Sequence, residues 1–117
     1  PPAAVIEHKY LGASGKVTKQ VHRLNVGDSI YDESGPTKLE AYRDFTIAPD
    51  GIVPDFEGQD ACVRFLNGEV IWKGEVYGDS AEDDMRRVQI RETLISHFEK
   101  EQELFGMGIK TLSLFGP

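Results

Sequence analysis

The sequence predicts an α+β fold: a small antiparallel β barrel or sandwich, followed by one long α-helix and a terminal strand. Three observations predict it. Short strand-like runs separated by turn residues fill residues 1–78, a helical spacing of apolar side chains follows over residues 79–108, and residues 109–117 form a largely apolar run. With 117 residues, of which 39% are hydrophobic, the chain can bury the core of one domain.

The β-rich module of residues 1–78 is predicted from its turns. Gly12-Ala13-Ser14-Gly15 separates the strand-like runs 3–11 and 17–26, which is typical of a hairpin. Asn67-Gly68, between two further runs, is the strongest short-range hairpin signal in the chain. Repeated strands with turns at this spacing favour a small antiparallel barrel or sandwich.

Three features of these runs predict burial. Lys19, Val21 and Arg23 share one face of an alternating strand, which we expect to be only half buried. Cys62 lies in a strand-like run and is expected to be a small buried hydrophobic residue. Trp72 could stack on a nucleic-acid base, but we expect it in the core, because a single buried Trp commonly anchors so small a β domain.

Residues 79–108 are predicted to form a connecting helix. Asp79 and Ser80 are suitable N-terminal capping residues, and Gly106 and Gly108 are suitable at its end. The apolar side chains that recur near one helical face are Val88, Ile95, Phe98 and Phe105.

Residues 109–117 are predicted to be a strand with apolar side chains on both faces, which is typical of parallel sheets covered by helices. We therefore expect the chain to be a piece of a longer protein. In isolation, this strand is expected to pair or pack with a second copy of the chain, because an unpaired edge invites association.

The overall composition limits which partners and which cellular compartment we expect. The net charge is −7, so DNA binding by the chain alone is not expected. No apolar run approaches the roughly 20 residues that span a bilayer, and no membrane partner is expected. The single cysteine, Cys62, excludes an internal disulfide and favours a reducing compartment, so we expect a cytoplasmic protein.

No motif for catalysis, cofactor binding or metal binding is present. The sequence lacks a phosphate-binding P-loop, a Gly-rich dinucleotide loop and a His-Glu-x-x-His zinc motif. The histidines His8, His22 and His97 are far apart, without ligand-like spacing. The acid pairs Asp28 with Asp32 and Asp55 with Glu57 are interpreted as turn and surface residues. We therefore predict no catalytic, cofactor or metal site in this chain.

The basic cluster that most favours a functional role consists of Arg86, Arg87 and Arg91. On the predicted helix, Arg87 and Arg91 are an i, i+4 pair on one face. One interpretation is that the arginines pair with nearby acids on a solvated helix, namely Asp83, Asp84 and Glu92. The other is that they contact a DNA backbone or a neighbouring domain in a larger protein.

Residues 85–115 resemble a stretch of the restriction (Res) subunit of type III restriction–modification systems. The similar pieces are Gln89-Ile90-Arg91-Glu92-Thr93, His97, Glu99-Lys100-Glu101 and Lys110–Phe115. Weaker similarity includes Val26-Gly27-Asp28 and Asn67-Gly68 upstream. The chain departs from the family at Gly116-Pro117, where the family strand usually continues through apolar residues to an acid.

The resemblance implies that this chain covers the insert between two RecA-like motor domains and the start of the second. Residues 1–78 would be the β-rich insert, 79–108 the connecting helix and 109–117 the first strand of a truncated RecA-like domain. The parent would hydrolyse ATP, move on DNA and cleave it with Mg²⁺, together with a methyltransferase subunit. The family's ATP-binding and nuclease residues match no position here, so the chain itself would be non-catalytic, with no cofactor of its own.

Two other classes of function stay open. One is a free-standing acidic β-barrel interaction module that binds a protein partner through its C-terminal helix. The other is an enzyme in its own right, which the absence of any catalytic motif disfavours. Whether the full protein is an enzyme is therefore uncertain from the chain alone, and its parentage decides the question.

Overall fold

The computed structural model describes residues 2–78 and 85–95, which form two antiparallel β-sheets. The strands of this described part are β1 (Ala3–Leu11), β2 (Val17–Asn25), β3 (Ile47–Val53), β4 (Cys62–Phe65), β5 (Val70–Trp72), β6 (Val76–Tyr77) and β7 (Val88–Leu94). One sheet has the order β2-β1-β7-β6 and the other the order β3-β4-β5. Two short 3₁₀ turns, Tyr31–Glu33 and Glu40–Tyr42, lie in the connection between β2 and β3.

Both predicted hairpins are present. Strands β1 and β2 pair along their whole length, from Ala3 opposite Asn25 to Leu11 opposite Val17, around the Gly12–Gly15 loop. Strands β4 and β5 pair around Asn67-Gly68, where Gly68 has a φ of 93° that its lack of a side chain permits. Local turn chemistry therefore sets these two pairings.

The predicted α+β class is wrong, because the described part of the chain is all-β and has no helix of seven or more residues. Residues 88–94, expected in the connecting helix, form β7, which pairs antiparallel with β1. Val88 and Ile90 alternate into the core beside Ile6, and β1 gains a partner on its second edge. Residues 2–78 and 85–95 contain no helix that could span a bilayer.

The remainder of the predicted helix, residues 79–84 and 96–108, lies outside the described residues, as does the predicted strand over 109–117. The predictions that depend on those residues, including His97 on the helix and self-association through the terminal strand, therefore stay predictions. The three-segment division of the chain stays a prediction as well, although β7 extends the sheet beyond residue 78.

The core lies between the two sheets. The larger sheet contributes Ile6, Val88 and Ile90, and the smaller one contributes Ile47, Val63 and Ile71, with Tyr42 and Phe45 from the β2–β3 connection. Tyr42 is fully buried, and its hydroxyl accepts the Lys9 N–H at 2.7 Å and donates to the Arg87 carbonyl at 2.6 Å. This hydroxyl bridges β1 and β7 where their direct pairing ends, one residue beyond His8 opposite Val88.

The two burial predictions for single residues had opposite outcomes. Cys62 is buried, as predicted, and burial raises the pKa of its thiol, so it behaves as a small hydrophobic group. Trp72 is 40% exposed, so its placement in the core was wrong. On the short strand β5 the inward position belongs to Ile71, and strand alternation turns its neighbour Trp72 outward.

Candidate functional site

A cavity of about 370 Å³ opens beside the β1–β2 hairpin. Its lining residues are Tyr10, Gln20, His22, Asp32, Glu33, Gly35 and Pro36. Strand alternation places Gln20 and His22 on the same face of β2. The 3₁₀ turn Tyr31–Glu33 brings two carboxylates to the opposite wall, so the cavity has polar groups on both sides.

A buried loop holds the second wall of this cavity against β1. The Leu11 N–H donates to the Ser34 carbonyl at 2.7 Å, and the buried Ser34 hydroxyl donates to the Tyr31 carbonyl and accepts the Leu39 N–H. Gly35 has a φ of 138°, and a Cβ there would lie 2.1 Å from the Leu11 carbonyl oxygen. Only glycine permits this close approach of the loop to β1.

Two histidines on adjacent strands form a hydrogen-bonded pair at the cavity. Their ring planes lie within 19° of each other with centroids 4.9 Å apart, and His8 Nε2 lies 2.8 Å from His22 Nδ1. His8 is fully buried, and its Nδ1 lies 2.8 Å from the Lys9 carbonyl oxygen. Because a carbonyl only accepts, His8 Nδ1 carries the hydrogen and donates it.

This arrangement assigns the tautomer of the outer histidine. Burial lowers the pKa of His8, which keeps the ring neutral, so its Nε2 accepts a hydrogen bond from His22 Nδ1–H. When His22 is neutral, its Nε2 is an unprotonated acceptor. That nitrogen lies 3.9 Å from Glu33 Oε1. The cavity therefore presents an oriented ring nitrogen beside a carboxylate.

A second polar feature lies on the outer face of the four-stranded sheet. There the side chain of Glu7, 6% exposed, forms ion pairs with Arg87 at 2.5 Å, with Arg91, and with Lys19 at 3.7 Å. A register shift in the β1–β7 pairing, where Val5 faces Glu92 and Ile6 faces Ile90, gives Arg91 no partner residue on β1. Hydrogen bonds from Arg91 and then Arg87 lower the pKa of Glu7, despite burial.

The structure therefore brings part of the predicted arginine cluster together. Arg87 directly precedes strand β7 and Arg91 lies within it, so neither is on a helix. A spacing of four residues places Arg87 and Arg91 on one face in either structure, but their acid is Glu7. Asp83 and Asp84, expected as partners, lie outside the described residues. Arg86 is exposed, with its guanidinium 6.0 Å from the centre of the Tyr77 ring. Contact of these arginines with DNA or a neighbouring domain stays a prediction.

The strand register gathers more basic side chains on this outer face, which we call the basic sheet face. Its charged residues are Lys9, Lys19, Arg23, Arg87 and Arg91, with the acids Glu7 and Glu92. Five basic and two acidic side chains leave a net charge of +3 on a chain whose total charge is −7. The sequence showed Lys19 and Arg23 on one strand face, but it did not show which strands would join them.

Of the acid pairs considered from sequence, Asp28 and Asp55 play local roles, whereas Asp32 lines the cavity described above. Asp28 accepts the Asn25 N–H at 2.8 Å, and Asp55 lies 3.9 Å from the Lys73 ammonium on the surface. Over residues 2–78 and 85–95, no three His, Cys, Asp or Glu side chains are grouped to hold a metal ion. No protein-family model matches this chain, and no curated protein or solved structure shows significant similarity to it.

Proposed function

We propose that this chain is a non-catalytic part of an ATP-dependent, DNA-translocating type III restriction subunit, with a β module inserted between its motor domains. The sequence resemblance over residues 85–115 supports the parentage. One structural observation carries the insertion: β1 and β7 are neighbours, with Ala3 directly opposite Leu94. The chain therefore enters and leaves the module at adjacent points, roughly 5 Å apart for paired antiparallel residues.

An inserted domain needs this geometry, because its two connections must return to nearby points of the host. In the proposed parent, ATP and Mg²⁺ are bound by other parts of the protein, and DNA and a methyltransferase subunit are its partners. The module then acts as a spacer or docking element between the motor domains. The alternative of a free-standing module that binds through a C-terminal helix loses its helix over residues 88–94, since these form β7.

The first prediction concerns excision of the module from the intact parent. Replacing residues 4–93 with a short Gly-Ser linker should leave Mg-ATP binding unchanged, because Ala3 and Leu94 are already adjacent. DNA-stimulated ATP hydrolysis should fall, because the spacing of the motor domains is altered. Isothermal titration and a steady-state ATPase assay measure the two effects. As a control, the same linker replaces residues 4–53, which removes β1 and should unfold the module.

A parent gene without an ATP-binding loop upstream of this segment would contradict the proposal outright. Loss of Mg-ATP binding on excision of residues 4–93 would contradict the insertion, since an inserted module folds independently of its host. If DNA-stimulated ATP hydrolysis were fully retained, this result would contradict the proposed role of the module as a spacer or docking element between the motor domains.

The second prediction concerns the basic sheet face, which we propose to lie along the DNA backbone in the parent. The double substitution Lys19→Glu with Arg23→Glu should weaken DNA binding and lower the salt dependence of log K by about 2, one unit for each phosphate contact. These positions avoid Arg87 and Arg91, which hydrogen-bond the buried Glu7 directly, whereas the Lys19 ammonium lies 3.7 Å from Glu7 and its side chain is 54% exposed. Fluorescence anisotropy at several salt concentrations measures the slope.

The matched control reverses two exposed cations on the other sheet, Arg64→Glu with Lys73→Glu. This control changes the net charge by the same amount at a different place. An equal loss of affinity in both double variants would show a non-specific charge effect and contradict the assignment of the DNA-facing surface.

A further inference from the structure

We propose that the cavity beside His22 binds the guanidinium group of an arginine side chain from a partner protein. This inference does not depend on the type III parentage, because it rests on the cavity alone. Its volume of about 370 Å³ is at the small end of the usual range for ligand sites, roughly 300–1,000 Å³. A space of this size suits one long side chain better than a nucleotide cofactor.

The oriented nitrogen of His22 is the main support for the proposal. Surface carboxylates are common, but here the buried His8 sets the tautomer of His22, a residue that lines the cavity, so that the neutral ring carries its acceptor at Nε2. The side chain of His22 is 30% exposed, so a ligand can reach this nitrogen. An acceptor held in this way selects a ligand that donates N–H or O–H groups.

The charges select a cation among such donors. Asp32 and Glu33 both line the cavity. Among the described residues, no lysine or arginine side chain forms an ion pair with either carboxylate. The Lys38 ammonium donates to the backbone carbonyl of Asp32 at 3.2 Å and not to its carboxylate. The negative charge of the cavity is therefore available to a ligand.

The geometry favours guanidinium over ammonium. His22 Nε2 and Glu33 Oε1 are 3.9 Å apart, so both lie within reach of a planar fork that carries five N–H donors. Tyr10 adds an aromatic ring to the lining, against which a guanidinium stacks more readily than a hydrated ammonium does. The predicted contacts are one ion pair, one hydrogen bond to a neutral ring and one stacking contact.

The test is an NMR titration of the full 117-residue chain with N-acetyl-arginine-methylamide. The matched probe is the citrulline analogue, which has nearly the same shape but no charge. We expect saturable shifts at the backbone amides of Tyr10, Gln20, His22 and Glu33 with the arginine probe, and no saturation with the citrulline probe. The variant Glu33→Gln should weaken binding roughly tenfold, as expected for loss of one charged hydrogen bond. Asp55→Asn, in the connection between β3 and β4 and not among the lining residues, should bind like the wild type.

Two results would overturn the proposal: equal shifts with the two probes, or unchanged affinity in Glu33→Gln. Zn²⁺ binding at micromolar concentration through the same amides, with no response to the arginine probe, would identify a metal site in its place. Because the titration needs neither DNA nor ATP, its failure leaves the proposed parentage untouched.

Discussion

Replacing Tyr42 with alanine should lower the free energy of unfolding by about 3–5 kcal/mol, the usual cost of deleting a large buried aromatic side chain. The ring is fully buried and lies edge-on to Phe45, with centroids 6.2 Å apart, and to His8 at 5.9 Å. The substitution opens a void between the sheets and also removes the hydroxyl that joins β1 to β7. Urea denaturation followed by circular dichroism measures the loss.

The variant Tyr42→Phe separates the hydroxyl from the ring. It leaves the Lys9 N–H and the Arg87 carbonyl without this partner, at an expected cost of about 1–3 kcal/mol. Tyr10→Phe is the control, because Tyr10 is only half buried, whereas Tyr42 is fully buried. Equal stabilities for the two phenylalanine variants would show that the bridge between β1 and β7 contributes nothing.

The sequence predicted the hairpins because their information is local. Gly12–Gly15 and Asn67-Gly68 each join strands that are neighbours along the chain, and turn chemistry alone specifies them. The pairing of β1 with β7 is different, since Ala3 meets Leu94 only after the whole module has folded. A plausible cap at Asp79-Ser80 and the seven-residue spacing of Val88 and Ile95 predicted a helix. Residues 88–94 instead pair with the second edge of β1, and this tertiary pairing outweighed the local helix signals.

The candidate sites could be predicted only in part, for the same reason. The histidine pair could have been predicted from the sequence. A hairpin with Leu11 opposite Val17 places Ile6 opposite His22, which makes His8 a diagonal neighbour of His22. The ion pairs of Glu7 could not have been predicted, because its partners Arg87 and Arg91 follow it by 80 and 84 residues. No spacing in the sequence connects these residues. The exposure of Trp72 depended on which face of β5 met the larger sheet, a choice fixed by tertiary packing.

Replacing Glu7 with glutamine should cost about 2–4 kcal/mol at neutral pH, because it removes the anion from a buried ion pair and leaves its cations in place. Arg87 is affected most, since its side chain is only 16% exposed, whereas Arg91 and Lys19 can turn to water at 52% and 54% exposure. The control is Asp55→Asn, which removes an exposed pair with Lys73 and should change stability by less than about 1 kcal/mol.

The dependence on pH identifies the ionised form of Glu7 as the source of this stability. Hydrogen bonds from Arg91 and Arg87 lower the pKa of the folded state below the ordinary value of 4.5. A carboxylate with a depressed pKa binds fewer protons when folded than when unfolded. Its contribution is therefore complete above pH 4.5 and disappears as the pH falls through the lower, folded value. Wild type and Glu7→Gln should accordingly differ most at neutral pH and converge in acid. Denaturation curves at a series of pH values measure the gap, and a gap that stays constant into strong acid would mean that Glu7 acts through its shape and not through its charge.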